Sequence, residues 1–560
     1  MKARSFGVEK FKALLVAGTF TVLANYIVRL SDSIIVGQLI GPDALAGVSL
    51  VGPCLSFVAF LGGMVATGVG TKYSIAMGRC NRDRARQFFM QGVWSALMFG
   101  GAFSLVLACC GREILDFYGA TGAARTYASD YLAWIWPLAL IESFEVLLIA
   151  LGYADGDSKL CMLSYAVVFA ANFVVSVVGV KLGFGTAGCA VGSVIADALG
   201  ILVMAAHFFR PACTFRPVRF FSFRDTLSIC GASFGDSAAF LCDGLLFLFL
   251  NKFAVAKFGS EILPVVGVAT SIWGFMVVFD GVGVAIQPLV TAYFGERNSV
   301  AIRRVMDAAM KVSLAEGALA MTVALLSPGL LVALVGIDDP TLYGQSLTAV
   351  RLISFGFVAK AFAGLFNSYY MFVDRSLFAG LLTFLSYLIF PTAAIAVGSF
   401  GGACGLWIGL SAGAVGGVVM VALLVVAVRS WAAFPLLLPR DRDAKLWVFG
   451  LDLEPEAIVE VSRKVGRLSG VPMRAALLVE EVFMAVRDRN LPRRVTGEVV
   501  VDLNDGVELT LRDDGQIFDI TDVDQRIASL RTFLVASMMC RHGDKQNLVT
   551  VGFNRNVFRF

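Results

Sequence analysis

Apolar residues run in long blocks from Phe11 to Ser430, broken only by short polar punctuation. Crossing a bilayer takes about 20 mostly apolar residues. The pattern predicts spans at 13–40, 44–75, 88–110, 127–152, 160–181, 184–208, 227–256, 263–293, 306–336, 343–372, 376–399 and 402–429. The longer runs must tilt or end in interfacial turns. From Pro439 the pattern changes. A strand is predicted over 446–453 and helices over 456–468 and 473–487. "EVVVDLNDGVELTLRDDG" reads as a hairpin with "NDG" as its turn. A helix over 524–539 and a final strand in "NLVTVGFNRNVFRF" complete a small α/β domain.

The apolar part repeats itself weakly. "GTAGCAVGSVIADALGILVM" (185–204) echoes "GGACGLWIGLSAGAVGGVVM" (401–420), and "GYADGDSKLCML" (152–163) holds the place of "MFVDRSLFAGLL" (371–382). Each member lies six spans from its partner, which suits two parallel bundles around a central cleft. The expected fold class is an all-α polytopic membrane protein of about twelve helices in two six-helix lobes, with a C-terminal cytoplasmic α/β domain. The expected boundaries are 1–215, 216–435 and 440–560.

Composition agrees with a membrane chain: 58% of residues are hydrophobic and 16% charged, where soluble domains carry about 25% charged. The first apolar run is too long for a cleavable signal peptide and lacks a small-residue cleavage site. The 11 cysteines are scattered without a CxxC and read as reduced thiols. His207 and His542 are far apart in sequence, so no metal site is expected. Basic residues gather in alternate loops: Lys2, Arg4, Lys10 and Lys12 at the start, "GRCNRDRARQ" at 78–87, Arg210 to Arg224, and Arg297 to Arg304. By the positive-inside rule those loops and both termini face the cytoplasm. The arginines sit at span ends, where topology accounts for them, so no nucleic-acid partner is expected.

Ionisable groups inside spans mark transport paths by default, because each costs roughly 2.5–3.5 kcal/mol on insertion scales. Asp32 is the strongest candidate, with Arg29 and Asn25 on the same helix face. It reads either as a cation or proton site or as a structural pair with Arg29. Asp243 and Asn251 lie about two turns apart in one span, as do Asp280 and Gln287 in the next. These four are the polar candidates for the cleft. Glu142, Glu145 and Glu316 are further carboxylates, and Asn172, Asn367 and Tyr370 are candidate lining residues.

"SDSIIVGQLIGPDALAGVSLVGP" (31–53) resembles the first-span signature of multidrug and toxic compound extrusion (MATE) transporters. "GVGVAIQPLVTAYFGERN" (281–298) resembles their eighth span and following loop. The resemblance covers about residues 10–430. It implies a two-lobed antiporter that exports organic, often cationic, compounds in exchange for sodium ions or protons. It places Asp32 and Asn172 in the N-terminal cation site, to which the helix-face reading adds Arg29. The family aspartate four residues after that asparagine is Ser176 here, and Arg29 is not a usual neighbour.

"LLVEEVFMAVRD", "LRDDGQIF" and "GFNRNVFRF" together resemble the histidine-kinase-like ATPase fold of the anti-sigma serine-kinase type. Glu481, Asp513 and Gly515 match its nucleotide-pocket motifs. Ala485 stands where that family carries a magnesium-binding Asn, and Ser529 where it carries a glycine. A degenerate pocket without efficient phosphoryl transfer is therefore expected.

The leading expectation is a secondary transporter rather than an enzyme, in a bacterial inner (plasma) membrane. It would require no cofactor, with a sodium ion or proton as coupling ion. ATP binding to the C-terminal domain is disfavoured by the missing amide. Expected partners are small organic substrates, membrane lipids and a cytoplasmic regulatory protein. No P-loop is present to support a primary pump. Two other readings stay open: a lipid-linked glycan flippase, which would need more cleft arginines than Arg29 and Arg351, and a membrane sensor signalling through its C-terminal domain.

Overall fold

The computed structural model describes residues 6–79, 81–117, 122–210, 213, 216–259, 262–335, 340–429, 436, 438, 443–504, 506–515, 546–548 and 553–560. The side chains of some helical residues, Arg29 and Asn25 among them, lie outside the described part.

Helices fill the chain up to Arg429. They are α1 (Phe6–Leu39), α2 (Pro42–Gly78), α3 (Arg82–Ser95), α4 (Gly101–Phe117), α5 (Gly122–Ile135), α6 (Leu138–Ala154), α7 (Ser158–Gly179) and α8 (Gly185–Ala205). After a connection come α9 (Phe223–Phe258), α10 (Leu263–Phe275), α11 (Asp280–Gly295), α12 (Ser299–Leu326), α13 (Pro328–Val335) and α14 (Pro340–Ser354). The last four are α15 (Phe357–Phe372), α16 (Ser376–Thr383), α17 (Phe390–Gly398) and α18 (Ala403–Arg429).

Among the described residues, eight helical stretches are long and apolar enough to cross a membrane, or ten if each bent pair is one span. One of the eight, Ser158–Phe209, contains both α7 and α8, between which Gly183 (φ 90°) and Gly185 (φ 57°) turn the chain. The bent pairs are α5–α6, by 52° next to Pro137, and α14–α15, by 47° at Gly356. Missing backbone donors and weak helix formers account for both bends. The span expected over 306–336 breaks at Ser327 and Pro328 for the same reason.

Small residues decide which helices meet closely. Down α18, Gly405, Gly409, Gly413 and Gly417 recur every fourth residue, and a Cβ at any of them would strike the backbone of residues 385–398 in the preceding helical segment. Gly188 and Gly192 do the same for α8 against Gly179 and Ser176 of α7. Without water to drive association, backbone proximity of this kind holds membrane helices together. The glycine-rich stretches that echo each other in sequence thus make the same kind of helix pair.

The C-terminal region forms β1 (Leu446–Asp452), α19 (Pro455–Gly466), α20 (Met473–Asn490), β2 (Thr496–Asp502), β3 (Glu508–Asp513), β4 (Gln546–Leu548) and β5 (Phe553–Arg559). The strand order is β1-β2-β3-β5-β4, and every pairing is antiparallel. Alternate residues point to opposite faces. Val499, Val501, Leu509, Leu511 and Phe558 therefore share one face and pack under Ile458, Leu478 and Phe483 of the two helices. The hairpin register pairs Asp502 with Glu508 around the predicted turn. Asp505 of that turn and the helix expected over 524–539 lie outside the described residues.

Candidate functional sites at Asp32 and at Asp243

Asp32 lies on α1, buried at 7% exposure. Its Oδ2 accepts from the Tyr131 hydroxyl of α5 at 3.1 Å and from the Ser193 hydroxyl of α8 at 2.9 Å. Asn172 of α7 donates its amide to the same Ser193 at 2.9 Å. Among the described residues, no hydrogen-bond donor meets the buried Oδ1. Three helices thus converge on one carboxylate, and its donors are hydroxyls and an amide, which orient charge without neutralising it. The structure brings Asp32 and Asn172 together, as the sequence suggests. Arg29, the third residue named for this site, has its side chain outside the described residues. Tyr131 and Ser193 had no sequence signal, since both lie about 100 or more residues from Asp32 and are ordinary in type. Ser176, in place of the family aspartate, is fully buried, packed under Gly192.

A second polar cluster sits among the later helices. Asp243 of α9 pairs with Lys360 of α15 at 3.4 Å. The Lys360 ammonium also lies 5.0 Å from the Trp273 ring and 5.3 Å from the Tyr387 ring. Asp243, Trp273, Lys360, Ser386 and Tyr387 line one small cavity. Carboxylate and aromatic faces both favour a cation there, and Lys360 supplies its own. Asp280 lies close by: a Cβ on Gly364 would stand 2.6 Å from its Oδ1 and 3.7 Å from the Tyr387 hydroxyl. Gln287 faces Gly70 of α2 instead, and Asn251 is exposed. Of the four cleft candidates, two therefore belong to this cluster. Lys360 was readable in "FVAKAFAGLF" as a lone base in an apolar run and was missed.

A third cluster ties helix ends. His207 meets Asp157 Oδ2 through Nδ1 at 2.8 Å and Asp155 Oδ2 through Nε2 at 3.0 Å. Arg210 holds both oxygens of Asp157 at 2.6 and 2.7 Å, and the Tyr73 hydroxyl donates to Asp155 at 3.2 Å. Cys213 completes a His/Asp/Cys group within 4.8 Å, a proximity that counting histidines along the chain does not reveal. Two ring nitrogens aimed at two carboxylates fit an imidazolium donating from both, so that with Arg210 two cationic groups balance two anionic ones.

In the C-terminal domain, Asp513 ends β3 and is buried, and its Oδ1 accepts from the Gly515 backbone at 3.1 Å. Gly515 packs on Asn490, where a Cβ would lie 2.6 Å from the amide nitrogen. Glu481 is exposed on α20. Burial pushes the Glu498 carboxyl of β2 up to about 7, while the Arg304 guanidinium pulls the other way.

The MatE family model matches residues 19–178 and 239–393. A structure of a MOP superfamily transporter from Pyrococcus furiosus, described as having a binding pocket of reversed polarity, is similar with a TM-score of 0.69 at 20% identity. That match covers 75% of this chain and 95% of the other. An outward-facing multidrug resistance MATE family transporter gives 0.68 at 20% identity, covering 76% and 99%. A MATE crystal structure in the bent conformation gives 0.68 at 20% identity, covering 77% and 100%. No functionally curated protein matches the sequence. The matched segments hold Asp32, Asn172, Asp243 and Lys360 and make up more than half of the chain, so this multi-pass membrane protein belongs to the MatE family of transporters.

Proposed function

We propose that this chain is a secondary active exporter of the MATE type, exchanging organic, including cationic, compounds for sodium ions or protons by alternating access. The observation that carries the reading is the Asp32 carboxylate. It is buried where α1, α5, α7 and α8 meet and is held by neutral donors rather than by a described counter-charge. Such a group can take up and give back a small cation, whereas a neutralised one cannot. Asp243, Lys360 and Asp280 provide a second polar cluster for the opposite bundle.

In this reading the twelve spans are completed by joining α3 to α4, α5 to α6, α10 to α11, α12 to α13, α14 to α15 and α16 to α17. Residues 1–215 and 216–435 form the two lobes and 440–560 a separate domain. The basic loops put both termini on the cytoplasmic side of the plasma membrane. The antiparallel sheet under two helices is compatible with a degenerate histidine-kinase-like domain, in which Asp513 and Gly515 match the family motif and Ala485 lacks the magnesium-binding amide. Titration of the full chain with magnesium ATP is expected to give no binding at micromolar concentrations; tight binding would overturn the degenerate assignment.

The test of transport is flux of a fluorescent organic cation in proteoliposomes under a sodium or proton gradient. Asp32→Asn is expected to lower gradient-driven flux at least tenfold. Unchanged coupled flux in that variant would sink the Asp32 assignment.

A further inference from the structure

One face of the C-terminal sheet is covered by α19 and α20. The opposite face is buried too, beneath the ends of α1, α11 and α12. Val448 and Val500 on that face pack on Val300 of α12. Arg512 reaches from β3 to Glu498 of β2 and, across the junction, to Glu296 at the end of α11. These three side chains are 1%, 1% and 4% exposed, and the guanidinium lies 5.0 Å from the Tyr293 ring. Lys10 of α1 pairs with Asp514 at 2.7 Å, and Asp514 is fixed in turn by the Thr496 backbone N–H at 2.7 Å. Arg304 of α12 donates to the Val448 carbonyl at 3.4 Å.

α1 and α11 run together from the sheet, where a Cβ on Gly7 would stand 2.9 Å from the Tyr293 hydroxyl, to the far end of α11, where they touch backbone to backbone. A Cβ on Gly18 would fall 2.7 Å from the Gly281 carbonyl oxygen, and one on Gly281 2.7 Å from the Thr19 Cα. Lys72–Asp374 at 2.9 Å and Arg84–Asp225 at 2.6 Å also join the first 215 residues to the rest. If access alternates, α1 and α11 must part at this end. Lys10 stands on one of them and Glu296 on the other, and a single rigid sheet grips both. Separation would strand a charge from a buried triad, a strongly unfavourable step unless the sheet lets go first.

We propose that the C-terminal domain is a clamp: docked, it holds α1 against α11 and keeps this end of the transporter shut, and each transport cycle requires its sheet to leave one of the two. The proposal rests on the two-lobed exporter reading. Its test uses the full chain with fluorophores introduced through unnatural amino acids at the exposed positions 12 and 297, where distance distributions are recorded beside ethidium flux. Lys10→Gln and Glu296→Gln should each add a longer-distance population, the double variant most of all. Flux should rise at least threefold, and Lys10→Arg should retain the wild-type distribution. A double variant with the wild-type distance overturns the clamp, as does a longer distance with unaltered flux in a preparation whose wild type is active. If no variant, nor the wild type, moves ethidium or any gradient-driven cation, the exporter reading fails. The clamp is then judged on distance alone, with lengthening upholding it and no change refuting it.

Discussion

Removing a residue from a buried charge cluster costs more than its own contacts, because the partners stay behind without compensation. His207→Gln removes the cation between Asp155 and Asp157 and leaves Arg210 as the described counter-charge for two carboxylates. The expected loss is about 3–5 kcal/mol, visible as a lower thermal midpoint in detergent. Lys10→Ala should be far milder. Both partners of the Lys10–Asp514 pair keep some solvent contact, at 16% and 15% exposure, and pairs of this kind contribute about 0–1 kcal/mol. Residue type made Asp32 legible, since a carboxylate in an apolar run is conspicuous whatever surrounds it. Its donors were not legible. A tyrosine and a serine acquire a role only when folding brings them within 3.1 Å. The same applies to His207, whose partners lie 50 and 52 positions earlier in the chain.

Helices and strands are legible in the sequence because periodicity is a local property. Strand β1, helices α19 and α20 and the β2–β3 hairpin fall within a few residues of their expected places. The break after Leu326 was overlooked because an apolar run hides a proline stop that hydropathy alone does not register. Glycine spacing carries more than turn information in this chain. Four successive positions at a spacing of four in α18, from Gly405 to Gly417, are closed to a side chain by the segment before it. Gly409→Leu should force those helices apart and sharply reduce the amount of folded protein recovered from membranes. Gly401→Ala, at a site with nothing within 4 Å of a new methyl, should be recovered at wild-type level. Equal recovery of both would show that close approach is dispensable.

On the scale of the molecule, the family match runs from residue 19 to residue 393, while the sheet beyond residue 445 is fastened to it by the Arg512–Glu296 pair and by Val448 and Val500 packed on Val300, and to Lys10 just ahead of it. Sequence reading could separate the two regions by composition but could not see that they join. The joining residues are charged ones, and at the ends of spans or on a hairpin charge has ready explanations. An Arg512→Ala chain should therefore be less stable than a Lys10→Ala chain by several-fold in unfolding equilibrium. It leaves Glu498 and Glu296 buried together, which differential scanning in detergent would register as a separate early transition.

The Lys10–Asp514 pair spans 504 positions of sequence. A ribosome makes its lysine at the outset and its aspartate hundreds of peptide bonds later, so α1 must wait in the bilayer through nearly all of translation before this tie can form. A chain released early would insert its bundle and still lack the tie; on the clamp proposal such a bundle would open without restraint rather than stay silent.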